Sequence, residues 1–560
     1  MHVERITNRN GVVTVLVRES YREDGKVKKR TVANITHLPA EIQLSIERQL
    51  RGDVHLPSSA FEVIRSRSHG QVEAVVQAMK KLDLDRLLGP GDRSMRNLVK
   101  AMIAARILDP ASKLSTASTW GTTTIPETFG IEGATEDALY RAMDWLLERQ
   151  SSIERRLARR HLEPCGLVLY DLTSSYVEGT TCPLATRGYS RDGKPQKLQV
   201  NFGLLTDEMG RPVAVDVYEG RTADPTTVRD QLGKMKEAFG LDLVVFVGDR
   251  GMLAQTVIDE MRDREGFEWI TALKSGSLQK LRAEGSLQLG LFDERNLFEF
   301  KSERYPGERL VACRNPALAV RRATKRREML KATEDELIKI QGLIESGRLH
   351  DEGKIGVRVG RIINKYKMAK HFKIEIEDGK LEFGVDADSV QEESALDGIY
   401  VVRTSVEADA LDRDDVVRSY KRLTRVERAF RSMKVSGLEV RPIFHRTEPR
   451  VRAHIFLCML AEYVQWHMRY AWRELLFADE VDTSDTRDPV APAEVSESAK
   501  AKKARKKTDN GLPVHSFRGL LKQLSTQMKS TCRMPTGETF ETLTRPDALQ
   551  TRAFELIKQL

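Results

Sequence analysis

With 560 residues the chain exceeds what a single hydrophobic core usually serves, and roughly two to four domains are expected. Hydrophobic residues at 40% and charged residues at 31% exclude a disordered or fibrous chain. Lysine and arginine number 91 against 82 acidic residues, a net charge of +9 that only mildly favours a polyanionic partner, so the clustering of charge carries more information than its sum.

Five widely spaced cysteines, Cys165, Cys182, Cys313, Cys458 and Cys532, contain no C-x-x-C pair, which argues against a zinc ribbon or disulfide framework and for a reducing cytoplasm. The opening MHVERITNRNG has no apolar signal core, and the most apolar helical run, near Ile455 to Ala461, is too short to span a bilayer, so no membrane partner is expected.

Along the chain, Val13, Val15 and Val17 alternate toward the turn Asp24-Gly25, and a second run ends in Val32, the pattern of a β-hairpin over 12–34. From about 70 to 160 the apolar spacing is helical, as in Val72, Val75, Val76 and Met79, which predicts an N-terminal hairpin and helical domain over 1–160, and the basic helix positions Arg93, Arg96, Lys100 and Arg106 favour DNA binding there over a dimerisation or structural cap. Short apolar runs follow at GLVLYD, LQVNFGLLTD, RPVAVDVYEG, LDLVVFVGDRG and FEWITALKS, with helical stretches from Asp224 to Phe239 and from Leu253 to Arg262. Three strands, helix, strand, helix, strand predicts a layered sheet with helices packed on it.

Residues 276–395 break that rhythm with the basic helical segment VRRATKRREMLK and a hairpin turning at Asp378-Gly379, as an inserted domain would. Helical patterns then run through Asp414 to Lys434 and Val451 to Phe477. Residues 478–510, acidic and then basic with few large apolar side chains, predict a flexible charged linker. A helical segment over 511–560 closes the chain.

Two acids stand at the ends of apolar runs, Asp171 before LTSSYVEG and Asp249 before Arg250-Gly251. A carboxylate at the end of a buried strand lies where sheet enzymes place their chemistry, although either one alone reads equally well as a turn cap. In YKRLTRVERAFRSMK, Tyr420, Glu427 and Lys434 recur every seven residues and share roughly one helical face, with Arg431 four after Glu427. Taken alone, that helix is also compatible with a surface ion pair.

The combination of YDLTSSY, VGDRGM and the Y-x6-E-x6-K spacing resembles the DDE transposases of bacterial insertion sequences, and within them the group with a YREK-type signature. The resemblance spans residues 160–475. It implies an α/β (α+β multidomain) fold: a ribonuclease H-like mixed-sheet catalytic core at 161–275 and 396–477, interrupted by a β-rich inserted domain at 276–395. It further implies that Asp171, Asp249 and Glu427 are catalytic and bind Mg2+, with Mn2+ as substitute. Two such ions serve an in-line displacement at phosphorus. Tyr420, Arg425, Arg431 and Lys434 would hold phosphates, and Arg250, Arg321 and Arg322 would add DNA contacts. The signature arginine expected three after Tyr420 is replaced by Leu423, flanked by Arg422 and Arg425, and all five tryptophans lie outside 276–395.

The implied partner is double-stranded DNA, both the terminal inverted repeats and the target, acted on by a homodimer in the bacterial cytoplasm in association with the nucleoid. The implied reaction cuts the element ends and joins their 3'-hydroxyls to target DNA. Two alternatives are a metal-dependent nuclease of the same fold without strand transfer, and a non-catalytic DNA-binding protein derived from a transposase.

Overall fold

The computed structural model describes residues 1–52, 61–481, 488–492, 494–534 and 536–560. The chain forms two compact units, 1–67 with 528–545 and 68–527 with 546–560.

In the smaller unit, β1 (His2–Thr7), β2 (Val13–Glu23) and β3 (Lys26–Asn34) form an antiparallel sheet in that order. Asp24 and Gly25 both adopt positive φ, 52° and 74°, the geometry that a two-residue hairpin turn needs to match strand twist. Val15 and Val17 pack with Ile35 as a small core beneath the helix Ala40–Leu50, while Val13, expected on the same face, is exposed. A second sheet joins β4 (Glu62–Ser68) to two strands from far along the chain, Met528–Arg533 and Thr539–Leu543. The closing segment expected to be helical over 511–560 therefore contains a hairpin between its helices Phe517–Leu524 and Ala548–Lys558. Alternation in KSTCR and TFETL is short and mostly polar, which hides a strand that borrows its partner from elsewhere.

The expected 1–160 domain also divides differently. The helices Gly70–Lys81, Arg93–Leu108, Glu136–Leu147 and Gln150–His161 belong to the larger unit, where their apolar faces share one core with the central sheet and the helix Glu448–Ala471. Asp92 caps Arg93–Leu108 by accepting from the amides of Ser94 and Met95, leaving Leu98, Met102 and Ile103 to pack inward. Glu448–Ala471 is buried on every side from Val451 to Gln465 apart from Arg452, the signature of a central helix rather than a surface one.

The central sheet contains the five strands expected from the apolar runs: β5 (Leu167–Tyr176), β6 (Gln199–Asp207), β7 (Pro212–Glu219), β8 (Val244–Gly248) and β9 (Phe267–Ala272). Three more, β10 (Leu297–Phe300), β11 (Arg309–Arg314) and β14 (Ile399–Thr404), extend it to the order β10-β11-β14-β9-β8-β5-β6-β7. The sheet is mixed: β8 runs parallel to β5 and to β9, and the remaining pairings are antiparallel. Gly203 on β6 leaves room for the fully buried Tyr170 of β5, because a Cβ there would overlap the phenol.

The segment 276–395 is not β-rich. Its first two strands are the sheet strands β10 and β11, and most of the rest is a pair of helices, Pro316–Glu345 and Glu352–Tyr366, carrying the expected hairpin β12 (Phe372–Glu377) and β13 (Lys380–Val385). Pro316 at the first helical position, the Asn315 cap and an Ala, Glu, Lys and Leu composition make a long helix locally favourable. Leu337, Ile340, Ile355, Val359, Phe372 and Leu381 give this segment its own core.

Within 478–510, residues 482–487 and 493 lie outside the described residues, but Glu497–Arg505 is a docked helix rather than linker. Its Lys502 is buried and donates to the Arg473 carbonyl and to Glu480.

Candidate active site

Asp171 does not end its strand; β5 continues to Tyr176 and pairs with β6 along its whole length. What ends is the neighbour on the other side, since β5 and β8 pair in parallel from Leu167↔Val245 to Tyr170↔Gly248 and no further. Asp171 and Asp249 are the next residues on the two strands, so they stand side by side where β8 releases the ladder. Alternation turns Tyr170 into the core and Asp171 to the opposite face.

The third acid comes from the helix Leu423–Arg431, which lies against β5 and β6. Leu423, Val426, Ala429 and Phe430 face the sheet, with Phe430 edge-on to Phe202 at 5.6 Å, and this leaves Glu427, Arg428 and Arg431 on the outer side. Burial pushes the Asp171 carboxyl up to about 7, and the charges of Asp249 and Glu427 push it the same way against the Leu172 amide and the Arg191 guanidinium. Asp171 Oδ1 accepts from the Leu172 amide at 2.8 Å.

Tyr420 lies on the preceding helix, Arg413–Lys421, and its hydroxyl makes a long contact of 3.5 Å to Asp249 Oδ1. Burial and then the Asp249 charge hold the phenol above its ordinary range, so it remains a proton donor. Lys434 sits past the end of the Glu427 helix, in a π-helical turn over Ser432–Ser436, and so leaves the face that the seven-residue spacing predicted. Its ammonium points inward, 2.5 Å from Asp192, and donates to Thr173 Oγ1 at 2.9 Å and the Ser174 carbonyl at 2.7 Å. Arg441 meets the same Asp192 at 2.5 Å.

Of the other residues singled out from sequence, Arg250 is exposed next to Asp249 and acts on Tyr420. Arg425 donates to the Glu208 carbonyl at 2.6 Å, in the turn between β6 and β7. Arg431 is exposed one turn beyond Glu427. Arg321 and Arg322 stand apart from this group on the helix Pro316–Glu345, where Arg322 reaches the carbonyls of Leu396 and Ile399.

Sequence reasoning missed the loop between β5 and β6. Arg191 and Asp192 read there as an ordinary Arg-Asp-Gly turn, yet Asp192 is the buried partner of Lys434 and Arg191 bonds Asp224 at the start of the helix Asp224–Gly233. Nothing local in the sequence signals an ion pair made across more than thirty residues.

Beside the Glu427 helix lies a groove of about 800 Å3 whose lining includes Arg418, Arg422, Arg425, Arg428, Arg469 and Arg473. Asp479, Glu480 and Glu494 line it as well. Trp466, Tyr470 and Arg473 of its lining belong to a stacked ladder that Arg211 completes: Arg211 over Trp466 at 5.1 Å, Trp466 against Tyr470 at 5.3 Å and 7°, and Arg473 over Tyr470 at 4.2 Å.

Carboxylate oxygens alone form the acidic cluster, the hard donor set that suits a divalent cation. Among the described residues no three such groups already converge to ligand distance. Asp249 and Glu427 are both exposed. Among the described residues, no helix is long and apolar enough to cross a membrane.

The family profile described as "Transposase DDE domain" matches residues 166–462, and that of the "IS1634 family transposase, N-terminal domain" matches residues 3–56. No curated protein matches the chain. One solved structure, the piggyBac transposase synaptic complex with hairpin DNA, is similar over 74% of this chain and 75% of that one at 8% identity and a TM-score of 0.35, too remote to bear on the argument. With more than half its length matched by the transposase domain, and all three clustered acids inside that match, the chain belongs to the DDE transposases of bacterial insertion sequences.

Proposed function

We propose that Asp171, Asp249 and Glu427 are the acid triad through which this transposase cleaves element ends and joins them to target DNA. The observation that carries the assignment is the register Tyr170↔Gly248, which sets Asp171 and Asp249 side by side, with the charge of Glu427 acting on Asp171. The strand order β7-β6-β5-β8-β9, in which only β6 runs against the other four, supports a ribonuclease H-like reading of the core.

As a DDE transposase the protein depends on a divalent metal; we assign Mg2+, with Mn2+ as substitute, held by Asp171 and Asp249 together and by Glu427. When bound, such ions supply the positive charge that activates an attacking oxygen and stabilises a leaving one at phosphorus. The protein's share is placement. Strand β5, paired on both sides up to Tyr170, fixes Asp171, and the packing of Leu423, Val426, Ala429 and Phe430 on the sheet fixes the helix that carries Glu427. Tyr420, kept protonated, orients Asp249. Water first opens the phosphodiester and frees a 3'-hydroxyl, which then displaces a target phosphodiester oxygen in the same site. Each step breaks one ester bond and makes one bond to phosphorus, so neither a covalent protein intermediate nor an external energy source is needed.

The basic groove with its aromatic ladder is the surface we assign to the DNA backbone, since guanidinium groups held by stacking present fixed donors to phosphate oxygens. A homodimer is expected because paired ends are cut in concert. In Mg2+, Asp171→Asn, Asp249→Asn and Glu427→Gln should each abolish cleavage of a terminal-repeat duplex with end binding within about threefold of the parent. Near-normal cleavage by any one of them removes that residue from the triad.

A further inference from the structure

Between β5 and β6 the chain around Arg191 and Asp192 is fastened at three points. The Arg191 amide donates to Ser174 Oγ at 2.9 Å, the Tyr176 amide donates to Asp192 Oδ2 at 3.3 Å, and the buried Asp192 carboxylate holds Lys434 and Arg441. These contacts fix the direction in which Arg191 leaves the backbone. Its guanidinium comes close enough to Asp171 to oppose the upward push on that carboxyl.

Arg191 is held by one nitrogen only. Nη2 donates to both oxygens of Asp224, at 2.7 and 2.8 Å, whereas Nε and Nη1 have no hydrogen-bond partner among the described residues. The pair is partly covered, with 22% of the arginine side chain and 29% of the aspartate exposed. The far side of the guanidinium faces the ring of Tyr189, 5.7 Å away and itself 80% exposed. Asp224 belongs to the same neighbourhood as Asp249: a Cβ on Gly251 would stand 3.8 Å from Asp249 Oδ2 and 3.9 Å from Asp224 Oδ2.

A surface ion pair normally engages arginine through two nitrogens, because the planar fork matches a carboxylate. Here Nη2 alone carries both bonds to Asp224, which leaves the N–H groups of Nε and Nη1 available to another acceptor.

Resting on the triad assignment, we propose that Arg191 is a catalytic residue that donates from Nε and Nη1 to the non-bridging oxygens of the scissile phosphate, and that Asp224 is the positioning residue that aims it. Charge on those oxygens shifts as the displacement proceeds, so a fixed donor there lowers the barrier more than it strengthens ground-state binding.

The test compares Arg191→Ala, Arg191→Lys, Asp224→Asn and Asp171→Asn in the full-length protein. Three quantities are read: single-turnover cleavage of a terminal-repeat duplex in Mg2+, affinity for the same duplex in EDTA, and the thermal midpoint. Arg191→Ala should slow cleavage by about 10²-fold, the usual consequence of removing one transition-state donor, with affinity within threefold. Arg191→Lys, a point charge without the fork, and Asp224→Asn should each lose about tenfold. Cleavage at the parental rate by folded Arg191→Ala overturns the proposal, as does a loss that appears wholly in duplex affinity. Should Arg191→Ala fail to fold, a parental rate for Arg191→Lys overturns it equally. Cleavage by Asp171→Asn would instead bring down the triad assignment; an inert Asp171→Asn beside a fully active Arg191→Ala brings down this inference alone.

Discussion

Asp171 and Asp249 are neighbours because each follows the last residue of a parallel ladder, Tyr170 on β5 and Gly248 on β8. One strand continues past that point and the other does not, so the first acid is partly buried and the second exposed.

That difference makes the metal-free protein sensitive to pH. Burial raises the Asp171 carboxyl from its ordinary 3.8 to about 7, so between those values the folded protein holds a proton that the unfolded chain has already lost. Its contribution favours folding at low pH and disappears as pH rises through about 7. Asp171→Asn should therefore raise the melting temperature of the metal-free protein at pH 8, by the equivalent of on the order of 2 kcal/mol, and leave it nearly unchanged at pH 4. An equal shift at both pH values, measured by scanning calorimetry in EDTA, would contradict the assignment.

Lys434 is tied inward to Asp192, Thr173 and the Ser174 carbonyl rather than outward to a phosphate. Removing one partner of a buried ion pair leaves the other uncompensated, although Arg441 remains to share Asp192. Lys434→Ala should lower stability in urea by about 2–4 kcal/mol and leave the salt dependence of DNA binding unaltered. A shallower salt slope with unchanged stability would return Lys434 to the DNA contacts.

Arg428 and Arg473 lie in the groove beside the Glu427 helix, one on the outer helix face and the other stacked on Tyr470. Replacing both with alanine should weaken duplex binding without regard to sequence. The slope of log affinity against log salt should fall by about one to two, roughly one for each phosphate that is no longer neutralised. A gel-shift titration at several salt concentrations reads this directly, and an unchanged slope would exclude the groove from the DNA path.

A fragment ending at residue 160 should not fold as a unit. Its helices Gly70–Lys81, Arg93–Leu108 and Glu136–Leu147 pack on Glu448–Ala471, which the fragment lacks, leaving a large apolar surface in water. Dye binding to exposed apolar surface and broad, non-cooperative melting are expected; a sharp transition would show that these helices form an independent domain.

The sequence by itself determined the periodic elements and singled out the acids as candidates. Alternation and short apolar runs located β5 to β9, the Asp-Gly pairs located two hairpin turns, and the three motifs picked out Asp171, Asp249 and Glu427, because these signals depend on residues adjacent or a fixed step apart along the chain. Tertiary structure decided what depends on partners distant in sequence. It drew β10, β11 and β14 into one sheet with β5, placed the helices after residue 68 in the same unit as that sheet, and paired β4 with strands near the far end of the chain. Likewise, the seven-residue spacing from Tyr420 to Lys434 predicts a shared face only for an unbroken helix. The π-helical turn at Ser432–Ser436 and the attraction of buried Asp192 rotate Lys434 inward, an outcome set by a loop more than two hundred residues earlier and invisible to any local pattern.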